Sequence, residues 1–147
     1  MTIPLNKTEV NRGLDLFNRA HFFDAHEVLE DVWREVPLHS PSRRHLQGLI
    51  QLAVAFHHHS KDNHLGARSV LERAMRNLHG ADSSFPGLDL DRLRTELAPW
   101  RRYLDYSERA DEKKNEKKFE ALNVRRRDVL NSSAPALPKI KKIRKRR

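Results

Sequence analysis

Residues 24–36, DAHEVLEDVWREV, decide the fold class because their apolar side chains recur at the spacing of an α-helix. The positions that follow this i, i+3, i+4, i+7 pattern are Ala25, Val28, Leu29, Val32, Trp33 and Val36. Asp24 and Glu27 have the spacing of a capping box, so we expect the helix to begin there. Pro37 ends it, since a proline deeper in a helix removes a backbone hydrogen bond.

The next helix contains LQGLIQLAVAFHH at residues 46–58 and is apolar on nearly every side. A helix of this kind is expected at the centre of a bundle. Ser40 and Pro41 predict its start, because a serine cap followed by a first-turn proline is a favourable helix opening. Gly48 lowers helix propensity, and we interpret it as the place where a neighbouring helix approaches closely.

Three further helices are indicated by their capping residues. Asn6 begins a capping box for a helix over residues 7–20. Asn63 can cap a fourth helix and Asp89 a fifth, which Pro99 should kink or split in two. No long stretch alternates apolar and polar residues as a half-buried strand does. The sequence therefore predicts an all-α fold, a small five-helix bundle of antiparallel helix hairpins with a charged C-terminal extension.

The chain of 147 residues has a net charge of +9, but this excess lies in its last quarter. Residues 1–109 contain 15 Lys plus Arg and 15 Asp plus Glu, whereas residues 110–147 contain 14 and 5. We therefore expect a helical domain over 1–109 and a charged extension over 110–131 that could form an exposed helix. Residues 132–147 should be a disordered basic tail, because they have too little apolar surface to offset the entropy of ordering.

Composition excludes several classes of protein. With no cysteine, the chain has no disulfide framework, no thiol nucleophile and no Cys-ligated zinc. Its longest uninterrupted apolar run, Leu52 to Phe56, is far shorter than the roughly 20 residues of a membrane span. The opening residues, MTIPLNKTEV, lack the apolar segment of a signal peptide. We expect a soluble cytoplasmic protein.

Polar residues at the border of the apolar stripe form the main candidate site. His26 and Glu30 are one helical turn apart, so they can share a hydrogen bond or a metal ion, and Trp33 would shield them on one side. An antiparallel hairpin would bring the end of the next helix close to this pair. The residues of this predicted polar node are His26, Glu30, Trp33, Gln51, His57 and His58.

Two interpretations of the polar node stay open, besides simple placement of His26 and Glu30 at the surface. It could be a hydrogen-bonded structural cluster that fixes one helix on the next. Alternatively, His26, Glu30 and His58, or His57 in its place, could ligate a divalent transition metal with an open position for water, as in a metal-dependent hydrolase. The zinc-protease signature is absent, since it has His where Glu30 stands. Four other histidines are expected in exposed positions near helix ends: His39, His45, His64 and His79.

The C-terminal residues PKIKKIRKRR are dominated by positive charge. The basic residues here are Lys139, Lys141, Lys142, Arg144, Lys145, Arg146 and Arg147. Basic chain ends attract phosphate backbones through counterion release, without reading the base sequence. The tail is therefore able to contact nucleic acid or the ribosome non-specifically. A solubilising or partner-docking role and contact with an anionic membrane surface are the alternatives.

Three motifs together resemble a known family. FNRAHFFDAHEVLEDVWRE at 17–35 has the pattern H-E-x-x-E-x-x-W, and LQGLIQLAVAFHH at 46–58 has a glycine, I-Q-x-A and histidines. DNHLGARSVLERA at 62–74 supplies a G-A pair that opens a helix. The matching residues are His26, Glu27, Glu30, Trp33, Gly48, Ile50, Gln51, Ala53, His57, His58, Gly66 and Ala67. Over residues 12–79 the chain resembles the bacterial and plastid family catalogued as domain of unknown function 309, which implies a small all-helical domain without an established activity.

The leading interpretation of the whole sequence is a non-enzymatic helical binding or interaction module. In this interpretation the polar node mainly organises the core, and the basic tail contacts nucleic acid. The family resemblance names no cofactor, substrate or partner. A metal, if one is bound, must rest on histidines and carboxylates, because the chain has no thiol.

Overall fold

The computed structural model describes residues 5–116 and 134–143. Five α-helices occupy the first range: α1 (Lys7–Asn18), α2 (Phe22–Arg34), α3 (Pro41–Ser60), α4 (His64–Asn77) and α5 (Leu90–Glu116). A single 3-10 turn, Ala81–Ser83, interrupts the connection between α4 and α5. The prediction of an all-α five-helix bundle is confirmed. In the described ranges, no helix combines the length and the apolar character that crossing a bilayer requires.

Helix α3 is the centre of the bundle, as its apolar sequence predicted. It packs against α2 and α4, while α1 packs on α2 and α5 packs on α4. The ring of Phe56 links four helices, because it lies 6.0 Å from the ring of Phe17, 5.6 Å from that of Phe22 and 4.9 Å from that of Trp100. The contacts of Phe56 with Phe17 and Trp100 are edge-on, a geometry that adds to the stabilisation that burial provides.

Three of the predicted caps form as expected. The side-chain oxygen of Asn6 accepts a hydrogen bond from the backbone N–H of Glu9 at 3.2 Å, and that of Asn63 accepts one from Gly66 at 2.9 Å. Asp89 accepts one from the N–H of Arg92 at 3.1 Å. Each bond satisfies a backbone donor that has no partner within its helix.

The predicted capping box at the start of helix two is wrong, because α2 begins at Phe22, two residues before Asp24. Helix α1 ends in a left-handed turn at Ala20, whose φ is 64°, and the N–H of His21 bonds back to the carbonyl of Leu16 at 2.9 Å. This turn sends the chain directly into α2. The aromatic cluster then draws Phe22 into the core, with its ring 5.2 Å from that of Phe17.

Gly48 lies where α4 crosses α3, as predicted. A Cβ atom at this position would stand 2.8 Å from Cγ of Leu78 and 3.2 Å from the carbonyl oxygen of Ala74, so a side chain would force the helices apart. Pro99 does not split α5, which continues as one helix on both sides of it. Trp100 and Leu104 are almost fully buried, so packing holds the helix together beyond the proline.

Residues 134–143, which we call the strap, lie against the domain. The carbonyl oxygen of Ala136 accepts a bond from Nε1 of Trp100 at 3.0 Å, and Ile140 is only 4% exposed. The side chain of Asn18 accepts from the N–H of Ile140 at 2.8 Å and donates to its carbonyl oxygen at 2.9 Å.

Further bonds join the strap to the loop before α5. The N–H of Asp89 donates to the carbonyl of Lys141 at 2.8 Å, and that of Ile143 donates to the carbonyl of Gly87 at 2.9 Å. The expectation of a disordered tail over 132–147 is therefore wrong for residues 134–143. Local composition missed this order because the partners of the strap lie far away in the sequence. The rest of that tail, and residues 117–131 of the predicted extension, lie outside the described residues.

Candidate functional site

The first two residues of the predicted node form a pair on α2. Nε2 of His26 lies 2.8 Å from a carboxylate oxygen of Glu30, and both side chains are about one-third exposed, at 27% and 32%. The other carboxylate oxygen of Glu30 accepts a bond from Arg34 at 3.2 Å. Glu30 is therefore shared between an imidazole and a guanidinium, which reduces its capacity to ligate a metal.

An exposed aromatic ring joins this pair to α3. The ring of Phe23 lies 5.9 Å from that of His26 and 5.5 Å from that of His57, and its residue is 52% exposed. The structure thus brings His26 and His57 to the same surface, with Phe23 in contact with both. Sequence reasoning missed Phe23, although its place about one helical turn before His26 was a usable signal.

Trp33 has a different environment from the one predicted. Its Nε1 donates to the backbone carbonyl of Arg43 at 3.1 Å, and the guanidinium carbon of Arg43 lies 3.8 Å from the centre of the indole ring. Arg43 in turn donates to the carbonyls of Trp33 and Val36 at 3.1 and 2.8 Å. These contacts hold the end of α2 against the start of α3. The hydrogen bonds join the two segments, and the guanidinium of Arg43 is also attracted to the face of the indole ring.

Gln51 bonds to α4, and His58 bonds to the turn that precedes α4. The amide oxygen of Gln51 accepts a bond from Asn77 at 2.7 Å, and Nδ1 of His58 lies 3.1 Å from the side-chain nitrogen of Asn63. The six predicted node residues therefore engage four separate sets of partners. Among the described residues, no group of three or more His, Asp or Glu is arranged to hold a metal ion, so His26, Glu30 and His58 do not form one ligand set.

His45 is buried, although an exposed position was expected. It is 3% exposed, its Nδ1 lies 2.6 Å from Oγ of Ser84 and its Nε2 lies 3.2 Å from the guanidinium of Arg44. Burial lowers the pKa of His45, and the charge of Arg44 lowers it further. The spacing of His45, Leu49 and Phe56 along one face of α3 was the signal that could have indicated burial.

The seam between α4 and α5 is polar. Nδ1 of His64 lies 2.6 Å from a carboxylate oxygen of Asp111, so this histidine is engaged between helices rather than simply exposed. Arg68 bonds to Glu108 at 2.6 Å and lies 3.3 Å from Asp105. The hydrogen bond and charge of Glu108 raise the pKa of Arg68. This network positions α5 on α4.

The basic tail begins on the strap. Lys139 anchors the strap, because its ammonium donates to the backbone carbonyl of Asn18. The backbone N–H of Lys139 also donates to the carboxylate of Glu96 at 3.0 Å. Lys141 and Lys142 are exposed. The other predicted nucleic-acid residues lie outside the described part of the chain: Arg144, Lys145, Arg146 and Arg147.

Comparison with known proteins agrees with the resemblance seen in the motifs. The family model described as Domain of unknown function (DUF309) matches residues 10–70, a stretch from α1 to the middle of α4 that contains His26, Glu30 and His57. The resemblance to DUF309 is thereby confirmed for residues 10–70. The class of protein, a small helical domain, follows from the five helices of the structure.

Two curated proteins are similar to part of this chain. The "Uncharacterized protein YpuF" of Bacillus subtilis (strain 168) is 37% identical over 70 residues, which are 48% of this chain and 40% of that protein. An "Uncharacterized protein" of Aquifex aeolicus (strain VF5) is 28% identical over 81 residues, 55% of this chain and 24% of that protein. The chain thus spans less than half the length of these relatives. No solved structure matches it significantly.

Proposed function

We propose that this chain is a non-enzymatic binding module that contacts nucleic acid, without reading its sequence, through its basic C-terminal tail. The anchoring of the strap is the observation that carries the proposal. Hydrogen bonds to Asn18, Gly87 and Asp89 fix the strap and leave Lys141 and Lys142 exposed on the surface. The next four residues in the sequence are all basic: Arg144, Lys145, Arg146 and Arg147.

The physical reason is the high charge density of nucleic acid. Basic side chains that approach a phosphate backbone release condensed counterions, and this gain does not depend on the bases. Lys7 of α1 adds to the same region, because it borders a small cavity together with Lys142. A binding role is favoured over catalysis because the residues of the predicted node contact four separate sets of partners.

Removing tail charges tests the proposal. In a triple variant with Arg144→Gln, Arg146→Gln and Arg147→Gln, we expect weaker binding to a single-stranded RNA of arbitrary sequence. The slope of log affinity against log salt concentration should become shallower by about 2. Each lost contact with a single-stranded phosphate backbone changes this slope by about 0.7, and the variant removes three such contacts. Fluorescence anisotropy of labelled RNA over a series of salt concentrations measures both quantities.

A control variant removes the same number of charges elsewhere. Lys61, Arg73 and Arg76 are exposed, and their side chains form no ion pair within the described ranges. Replacing these three by glutamine changes the net charge equally but should leave most of the salt slope in place. If this control lost as much affinity as the tail variant, nucleic acid would be binding to the domain and the proposal would be wrong.

A further inference from the structure

A small apolar cavity lies where three distant parts of the chain meet. The start of α1, the loop before α5 and the strap line this cavity, which has a volume of about 200 Å³ and is partly open to solvent. The apolar side chains that line it are Leu5, Val10, Leu14, Phe85, Pro86 and Leu88. A concave apolar surface with a few polar groups at its edge is the usual form of a small-molecule site.

Two lysines border this cavity from opposite segments. Lys7 belongs to α1 and Lys142 to the strap, and both residues are exposed. Within the part of the chain that the structure describes, neither ammonium is in an ion pair and no acidic side chain lines the cavity. Two cations beside an apolar wall complement a ligand that has an apolar body and an anionic group.

We propose that this cavity binds a small organic anion, with its apolar body against Val10, Leu14 and Phe85 and its carboxylate between Lys7 and Lys142. The cavity is apolar, small and partly open to solvent, so a short carboxylate such as hexanoate is the probe that matches it. The site is complete only when the strap is docked, since the strap provides Lys142. This inference does not depend on the proposed contact with nucleic acid.

Titration of the full chain with hexanoate, and with hexanol as the uncharged analogue, tests the proposal. We expect saturable shifts of the methyl NMR signals of Val10 and Leu14 with hexanoate. Hexanol should bind more weakly, and Lys7→Gln and Lys142→Gln should each weaken hexanoate binding about two- to five-fold, as the loss of one partly exposed ionic contact implies. Lys141→Gln is the matched control, because this exposed neighbour does not line the cavity.

A cavity-filling variant gives a second test. Val10→Phe places a larger side chain at a residue that lines the cavity, and we expect it to block hexanoate while the helical circular dichroism remains that of the wild type. Equal affinity for hexanoate and hexanol would overturn the proposal of an anion site. So would an absence of saturable shifts, or a Lys141→Gln variant that binds as weakly as Lys142→Gln.

Discussion

At the residue scale, the fold buries the imidazole of His45 and partly buries that of His59. Burial lowers the pKa of both, with an added contribution from the charge of Arg44 for His45 and from His64 for His59. His45 is hydrogen-bonded to Ser84, whereas Nδ1 of His59 has no partner in the described part of the chain. Both therefore favour the neutral form in the folded protein.

The lowered pKa of His45 predicts that the protein loses stability in mild acid. The unfolded chain takes up a proton at an ordinary pKa near 6.5, which the folded chain resists. The contribution of His45 to stability is thus complete above this value and is lost as the pH falls toward the lower pKa of the folded state. Urea unfolding at about pH 7.5 and about pH 5.5 measures the difference in the free energy of unfolding.

His45→Gln separates this effect from that of other groups, because an amide can still bond to Ser84 but does not titrate. We expect this variant to lose less stability between the two pH values than the wild type does. His59 contributes with the same sign, so some dependence on pH should persist. His39→Gln, at an exposed histidine, should behave as the wild type. An equal loss in wild type and His45→Gln would contradict the assignment.

At the scale of elements, the close crossing of α3 and α4 depends on a glycine in α3. Gly48 allows Leu78 to pack directly against the α3 backbone, and Leu78 is only 2% exposed. Because Ala74 approaches the same point with its backbone carbonyl, the contact cannot be relieved by a rotamer change alone. The close approach is therefore a property of both helices together.

Gly48→Ala should destabilise the protein although alanine is the better helix former. Overpacking costs about 1–3 kcal/mol and the gain in helix propensity offsets about 1 kcal/mol, so we expect a net loss of about 1 kcal/mol in the free energy of unfolding. Gly87→Ala is the matched control, since a Cβ there would meet no atom within 4 Å. Chemical denaturation compares the two. A Gly48→Ala variant as stable as the control would show that the crossing can adapt.

At the scale of the whole molecule, the strap ties the C-terminal end of the chain to α1 and α5. Asn18 is the centre of this attachment, because its amide bonds to both the N–H and the carbonyl of Ile140. An asparagine paired with one residue's backbone in this way imitates a neighbouring strand. The strap in turn fixes the point from which the basic residues after Ile143 extend. It also forms one wall of the cavity.

Asn18→Ala should release the strap while the five helices remain folded. Loss of the two bonds to Ile140 leaves its buried N–H and carbonyl groups unpaired. Each unpaired group costs about 1–3 kcal/mol of stability where water cannot replace the partner. We expect faster hydrogen exchange at the amides of Ile140, Ile143 and Asp89 and unchanged exchange within α3. Asn11→Ala, at an exposed asparagine of the same helix, is the control. Unchanged protection at Ile140 in Asn18→Ala would refute the role of Asn18.

Several features could be predicted because they depend on near neighbours in the chain. The caps at Asn6, Asn63 and Asp89 each need only a donor three residues away, and all three form. The His26–Glu30 contact likewise follows from one helical turn. The start of α2 could not be predicted in the same way, because the packing of Phe22 against distant rings outweighs a possible local cap.

The predicted node likewise combines features that depend on spacing within one helix with features that depend on how the helices pack. Spacing along α2 and α3 identified the residues, but the side on which each helix meets its neighbours decided their partners. Gln51 and His58 therefore bond to Asn77 and Asn63 instead of to the α2 pair. Periodicity defines faces on one helix, whereas the rotation of one helix against another depends on close contacts such as that at Gly48.

By itself, the sequence determined the all-α class, the central place of α3, the family resemblance and the concentration of positive charge at the C-terminal end. Each of these depends on composition or on spacing within one helix. Only the tertiary structure decided that the strap is ordered, that His45 is buried and that Lys7 and Lys142 border one cavity. These features join residues far apart in the chain, and their energy comes from contacts that exist only once the helices have packed.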